Sequence, residues 1–338
     1  MGALPLLGAI GALLIAAEPN ATASERFEFT QVEMVVPIKI VLYAPDEEQA
    51  EEAAQAAFAR ILQLNGIMSD YDQNSELRRL GETSGHGKAV PVSPELWQVL
   101  SHAQTLSARS QGAFDVTVGP MVQLWRRARR QRELPSDERM TAARPLVGYR
   151  LLRLDPQHRA VELLEPGMRL DLGGIAKGYA ADEALEVLAK RGIRSALIDA
   201  GGDVVLGDAP PGKPGWRIGV ARLEVDGPPS HVLVLSRAAI ATSGDRWQYV
   251  EIGGTRYSHL VDPRTGLGLT DHSSVTVVAP DGITADGLAS AVSVLGPEEG
   301  LKLIEDTPGV EALIVRAPEG KIEKYESTGW RELGGNGD

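Results

Sequence analysis

The spacing of apolar residues divides the chain into strands and helices that can be placed before any chemistry is considered. Phe27 and Phe29 alternate with charged residues, and Val35 to Tyr43 is a nearly unbroken apolar run. The stretch Arg26 to Tyr43 therefore predicts two strands, with Pro37 favouring an edge or a bulge because it lacks an N–H. Asp46, with Gln49 three residues on, has the spacing of a capping box. It opens a helix in which Ala50, Ala53, Ala54, Ala57, Phe58, Ile61 and Leu62 form the buried stripe and Asn65-Gly66 the end. Ser93-Pro94-Glu95 starts a second helix, which runs to about Ser110 and stops before Gly112. Ala184, Leu185 and Leu188 mark a third, after an apolar, strand-like run that leads into Asp171, and Leu288, Val292 and Leu295 mark a fourth. Ser195 to Gly207 reads as strand, Gly-Gly, strand. Trp216 to Ala221 and His231 to Leu235 are further strands, and Val225 to Pro229 is a tight connection. Neither a repeat nor a linker interrupts this order.

Length and composition add limits. The 338 residues, 43% of them hydrophobic, can bury a sizeable core in one large domain or two smaller ones. Acidic residues outnumber basic ones, 46 to 34, for a net charge of −12. Nucleic acid and anionic lipid are thereby excluded as main partners, since both are repelled at long range. Ala3 to Ala17 is uncharged and apolar, and Ala21-Thr22-Ala23 forms a small-x-small pattern before Ser24. This predicts an export signal over residues 1–23 and a functional domain over 24–338; an uncleaved N-terminus would instead tether the protein to the inner membrane. The run is short for a membrane span. There is no cysteine, which excludes disulfides, thiolate metal sites, thiol nucleophiles and a lipidated cysteine at the signal junction.

The candidate chemistry gathers around Asp171 to Ala181, Asp-Leu-Gly-Gly-Ile-Ala-Lys-Gly-Tyr-Ala-Ala. Glycines before a helix let a ligand approach the backbone, and the helix start offers unpaired N–H groups to an anion. Lys177 falls in the first helical turn, where the dipole opposes its charge; a phosphate beside it would answer that charge. Asp115 is the one charge in Gly112 to Pro120 and needs a backbone N–H cluster or a ligand donor as partner. Tyr71, the one aromatic in a polar loop, either stacks on a planar ligand or covers the core. The five arginines between Trp125 and Arg132 read as a solvated or salt-bridged face rather than a nucleic-acid site. Ala241-Thr-Ser-Gly-Asp245 reads as a hydroxyl-rich turn, and His259, three residues before Asp262, as a candidate acid–base group. Asp286 and Ser290, i and i+4 on a helix, project a carboxylate and a hydroxyl from one face. That oxygen-only pair suits Mg²⁺ rather than zinc.

Taken in order, several of these segments resemble the ApbE family of FAD:protein FMN transferases. The likeness rests on Ser69-x-Tyr71 with Ser75-Glu-Leu, Gly-Ala-Phe-Asp-Val-Thr-Val-Gly-Pro, the Asp171 segment, Asp-Ala-Gly-Gly-Asp, Ala-Thr-Ser-Gly-Asp, Tyr-Ser-His-Leu-Val-Asp-Pro-Arg-Thr-Gly and Thr-Ala-Asp-Gly-Leu-Ala-Ser. It implies a single α+β domain of mixed sheets and helices, FAD as substrate and Mg²⁺ as cofactor. It also implies transfer of FMN to a threonine of an acceptor flavoprotein, with release of AMP. Such acceptors are membrane redox subunits or exported flavoproteins, so the work is expected in the periplasm, close to the membrane. Carried over by the resemblance, Met34, Tyr71, Ala113, Phe114, Asp115, Asp171, Lys177 and Leu260 hold FAD. Asp286, Ser290 and the carbonyls of Gly174 and Ala289 hold the metal, and His259 and Lys177 serve catalysis. The chain departs from the family pattern in Val35-Val36, where Gly-Thr is usual, in Ser290, where threonine is usual, and in Arg246-Trp-Gln-Tyr249. Two other readings stand beside transfer: hydrolysis of FAD with water as acceptor, and a non-catalytic FAD carrier.

Overall fold

The computed structural model describes residues 24–223, 229–246 and 248–333. The proposed signal, residues 1–23, and most of the Val225–Pro229 connection lie outside the described residues. Eight antiparallel strands form one sheet whose spatial order follows the chain: Glu25–Glu33, Val36–Ala44, Ala196–Ala200, Asp203–Leu206, Ala238–Gly244, Ser273–Ala279, Glu311–Arg316 and Glu323–Glu326. Alternation sets its two faces. Ile38, Ile40, Leu42, Ile198, Ala241, Val277 and Ile314 point into a large core beneath the helices Glu47–Met68, Ala176–Lys190 and Gly282–Glu305. Val41, Ile240, Val278 and Leu313 point the other way, under the hairpin Trp216–Val220/His231–Leu235 and Trp330. The helix Pro94–Arg109 packs outside Gly282–Glu305.

The caps read from sequence form. Asp46 accepts from the Gln49 N–H at 2.9 Å and from its side-chain amide at 2.7 Å, and Ser93 caps the helix that begins at Pro94. Other expectations give way. The first helix continues through Asn65-Gly66 to Met68 because Leu64 and Met68 are buried, while Leu62 faces solvent. Pro37 is in an inner strand, but at its very start: it pairs only with Val32, and the ladder to Ala196–Ala200 begins at Ile38, so no hydrogen bond is lost. The run leading into Asp171 makes only an isolated bridge, Val118 with Arg169. Ala241 to Gly244 is sheet strand rather than turn, paired with Ser274 to Val277.

The first hairpin turns through Met34 and Val35, both with positive φ, +50° and +66°. Two-residue hairpin turns of this hand favour Asn-Gly, and a β-branched residue there is strained by about 1–2 kcal/mol. Glycine relieves that strain at the cost of a more flexible unfolded chain. Val35→Gly is therefore expected to stabilise the protein by roughly 0.5–1 kcal/mol, read as a raised urea midpoint at constant slope. A lowered midpoint would show that Val35 makes contacts worth more than its strain.

Candidate active site

The two helices that define the site meet through glycine. A Cβ on Gly178 would lie 2.1 Å from the Gly282 carbonyl oxygen, and one on Gly282 would lie 2.5 Å from that of Gly178. At this separation each helix caps the other. The Gly178 N–H donates to Asp286 Oδ2 at 3.1 Å, while Asp182 accepts from the N–H groups of Gly282 and Ile283 at 2.7 and 2.9 Å. Burial pushes the Asp182 carboxyl up to about 7.

Asp286 is 5% exposed and faces Lys177, whose ammonium bonds Asp203 and lies 3.8 Å from Asp286 Oδ2. Burial opposes the charge on Lys177, but Asp286 and Asp203 outweigh it and raise its pKa. Burial and then Asp203 push the Asp286 carboxyl up to about 7. The lysine that the dipole disfavours is thus answered by two carboxylates, of which Asp203 comes from a neighbouring strand. Two acids thus crowd one base at this end of the sheet. Ser290 lies one turn beyond Asp286, and a Cβ on Gly174 would come within 2.7 Å of its Oγ, so the Gly174 backbone abuts the hydroxyl.

These groups floor a cleft of about 530 Å³ that is also lined by Met34, Tyr71, Ala113, Phe114, Asp115, Asp171, His259, Leu260 and Ala289. Every residue singled out for FAD, metal or catalysis therefore opens on one cavity. Phe114 packs beside Gly174, its ring within 3.4 Å of where a Cβ would be. Asp115 finds its partner locally: Thr117 donates from its N–H at 2.8 Å and its hydroxyl at 2.7 Å, and burial raises its pKa. Asp171 accepts from the Gly173 N–H at 2.8 Å and from Arg126 at 2.9 Å, which fixes the glycine bend. Tyr71 does not cover the core. It is 65% exposed, with the Arg126 guanidinium 4.4 Å from its ring centroid.

Some details differ from expectation. Asp262 is engaged by Arg264, with bonds of 2.9–3.2 Å, and does not orient His259. The ring Nδ1 of His259 lies 3.3 Å from the Gln248 carbonyl, which can only accept, so Nδ1 carries the hydrogen and Nε2 is left as a base. Burial, then Arg129, and also Lys177, push this imidazole down to about 4. The Ala289 carbonyl accepts from Ser293 Oγ at 2.8 Å, which weakens its claim as a metal ligand. The Leu260 N–H bonds Ser258 Oγ and its carbonyl accepts from Leu269, leaving its side chain and one lone pair for a ligand. Arg126, Arg129 and Asp203 line the cleft without having been singled out for it. Arg126 and Arg129 belong to the arginine run, where only the spacing Val122, Trp125, Arg126, Arg129 could have marked a helical stripe.

Among the described residues no three of His, Cys, Asp and Glu cluster as metal ligands. The donors around Gly174 are oxygens: one carboxylate, one hydroxyl and backbone carbonyl. Mg²⁺ commonly takes one or two carboxylates and completes its shell with waters and substrate phosphates, so this set fits such an ion when a phosphate ligand arrives with it.

The α+β domain thus brings a carboxylate–lysine pair and a glycine bend under one cleft. Residues 32–314 match the ApbE family. The chain is 32% identical over 286 residues to the FAD:protein FMN transferase of Haemophilus influenzae, covering 82% of each chain. It is 34% identical over 285 residues to that of Vibrio cholerae, covering 82% of this chain and 83% of the relative. Among solved structures, the flavin transferase ApbE from Vibrio cholerae superposes with a TM-score of 0.82 at 28% identity, covering 92% of this chain and 99% of that one. The apo flavinyl transferase ApbE of Pseudomonas stutzeri gives 0.81 at 30% identity, covering 95% and 100%. The chain belongs to the ApbE family and is a transferase.

Proposed function

We propose that the protein moves FMN from FAD to a threonine hydroxyl of an acceptor flavoprotein and releases AMP. The acceptor would be a membrane redox subunit or an exported flavoprotein, reached in the periplasm after residues 1–23 direct export. The observation that carries this reading is the meeting of Asp286, Ser290, Gly174 and Lys177 in one cleft, with His259 in the same cleft and its Nδ1 against the Gln248 carbonyl.

In that reading Asp286, Ser290 and the Gly174 carbonyl hold Mg²⁺, which when bound neutralises the diphosphate as a Lewis acid. Tyr71 and Met34 offer apolar surface to the flavin ring, and Phe114 and the glycine bend shape the space for the diphosphate. His259 Nε2 takes the proton of the acceptor hydroxyl. The threonine oxygen forms a bond to the FMN phosphorus as the anhydride bond to AMP breaks, so the electron pair leaves with the AMP phosphate. Lys177, held in place by Asp203, lies where that charge develops. Hydrolysis uses the same groups with water in place of threonine. The test is mass spectrometry of an acceptor domain incubated with the protein, FAD and Mg²⁺. An FMN-sized adduct on a threonine supports transfer, and AMP release without an adduct supports hydrolysis instead.

A pH profile checks the base. A group held near 4 stays neutral through the ordinary range and becomes unable to accept a proton only below that value. Measured at saturating Mg²⁺, so that the cation and not a proton occupies the Asp286 carboxylate, kcat/KM is expected to stay flat from neutrality to about pH 5 and to fall as pH approaches 4. Half-loss between pH 6 and 7 that persists whatever the Mg²⁺ concentration would mean that His259 titrates like a free imidazole or is not the base, whereas one that moves with Mg²⁺ belongs to Asp286.

A further inference from the structure

The arginine-rich helix Gly119–Gln131 enters the cleft with a stripe of Val122, Trp125, Arg126 and Arg129, one face of the helix. Trp125 fixes its position: the side chain is 1% exposed and its indole N–H donates to the Ser258 carbonyl at 3.0 Å, the residue before His259. Arg126, next on the stripe, is fully answered by Asp70 and Asp171. Lys177 is answered by Asp203 and Asp286. Arg129 has no such carboxylate. Among the described residues it is the cation lining this cleft that forms no ion pair, although the chain as a whole carries a net charge of −12.

A half-buried guanidinium without an acid is costly unless an anion arrives, and its planar fork suits a phosphate. The cleft floor cannot supply the charge alone. Lys177 faces two acids, Asp203 and Asp286, and Arg126 two more, Asp70 and Asp171, so neither cation has charge to spare for a phosphate. A dinucleotide diphosphate brings two negative charges and gains from a further cation in the cleft. We infer that Arg129 is a phosphate-binding residue for the dinucleotide, facing the same cleft as His259 so as to hold the diphosphate of FAD and the AMP phosphate that departs. The inference rests on the proposed use of FAD and names a residue that use does not by itself require. Both residues line the one cleft, and the Arg129 charge helps to push the His259 imidazole down.

The test compares ligands that differ in phosphate. Binding of FAD, AMP and riboflavin is measured by flavin fluorescence and calorimetry for the unaltered protein, Arg129→Gln and Arg129→Lys. The glutamine variant is expected to lose on the order of ten- to a hundredfold in affinity for FAD and AMP and to bind riboflavin, which has no phosphate, as before. The lysine variant is expected to recover part of the loss. Equal FAD affinity in Arg129→Gln, or an equal loss for riboflavin, overturns the inference. So does intact FAD binding with a raised KM for the acceptor, which would place an acceptor carboxylate at Arg129 instead. Failure of the unaltered protein to release AMP from FAD would count against the proposed function, while the ligand comparison would still judge Arg129.

Discussion

Asp286→Asn is expected to leave the fold intact and to lower turnover with FAD and Mg²⁺ by about a hundred- to a thousandfold, the usual loss when one preorganised electrostatic group is removed. Asparagine keeps the size of the side chain and an oxygen that can still accept from the Gly178 N–H. What it removes is one of two carboxylates crowded around Lys177. For stability that acid is surplus: burial and Asp203 already push it up to about 7, so its charged form is disfavoured in the protein alone. The melting temperature of the variant without metal should therefore equal or exceed that of the unaltered protein. In the proposed metal site the same acid is the one carboxylate, and among the described residues no cluster of three acidic or histidine ligands could replace it. Mg²⁺ with a nucleotide should raise the melting temperature of the unaltered protein and not that of the variant. Activity within tenfold of normal would place the metal elsewhere.

Much of this site could be read from local spacing, because the elements that carry it are local. Asp286 and Ser290 share a helix face by the i, i+4 rule, and the glycine bend before Lys177 announces itself by composition. What could not be read depends on pairs distant in the chain. Arg126 meets Asp70 and Asp171, residues 56 and 45 positions away, so the salt-bridged face that the arginine run suggested does form, but its partners place two of the arginines in the cleft. Asp203 was visible as an acid after two glycines, yet its bond to Lys177 exists only because the hairpin Ala196–Ala200/Asp203–Leu206 lies beside the helix start. The His259–Asp262 spacing misled for the converse reason. Asp262 opens a turn and is taken by Arg264 two residues on, a local contact that outcompetes the longer one.

Gly178→Ala is expected to lower both stability and turnover, although alanine is the better helix former. Glycine in a helix interior costs about 1 kcal/mol relative to alanine, so propensity alone predicts a gain. The new methyl, however, would stand 2.1 Å from the Gly282 carbonyl oxygen and 2.9 Å from Asp286 Cβ. Neither can swing aside as the end of a long side chain can, because one is backbone and the other is the root of the proposed metal ligand. Overpacking of this kind costs roughly 1–3 kcal/mol and forces the two helices apart. Separation also breaks the reciprocal caps and moves Asp286 away from Gly174; a shift of about 1 Å in such a constellation costs on the order of a hundredfold in rate. Gly66 gives the contrasting case: it lies within the helix Glu47–Met68, and its Cβ would meet nothing within 4 Å. Gly66→Ala should gain roughly 0.5–1 kcal/mol with turnover unchanged. Urea unfolding and AMP release measured on both variants decide the matter. If Gly178→Ala behaves like Gly66→Ala, the helices tolerate separation, and their glycine contact is not what assembles the site.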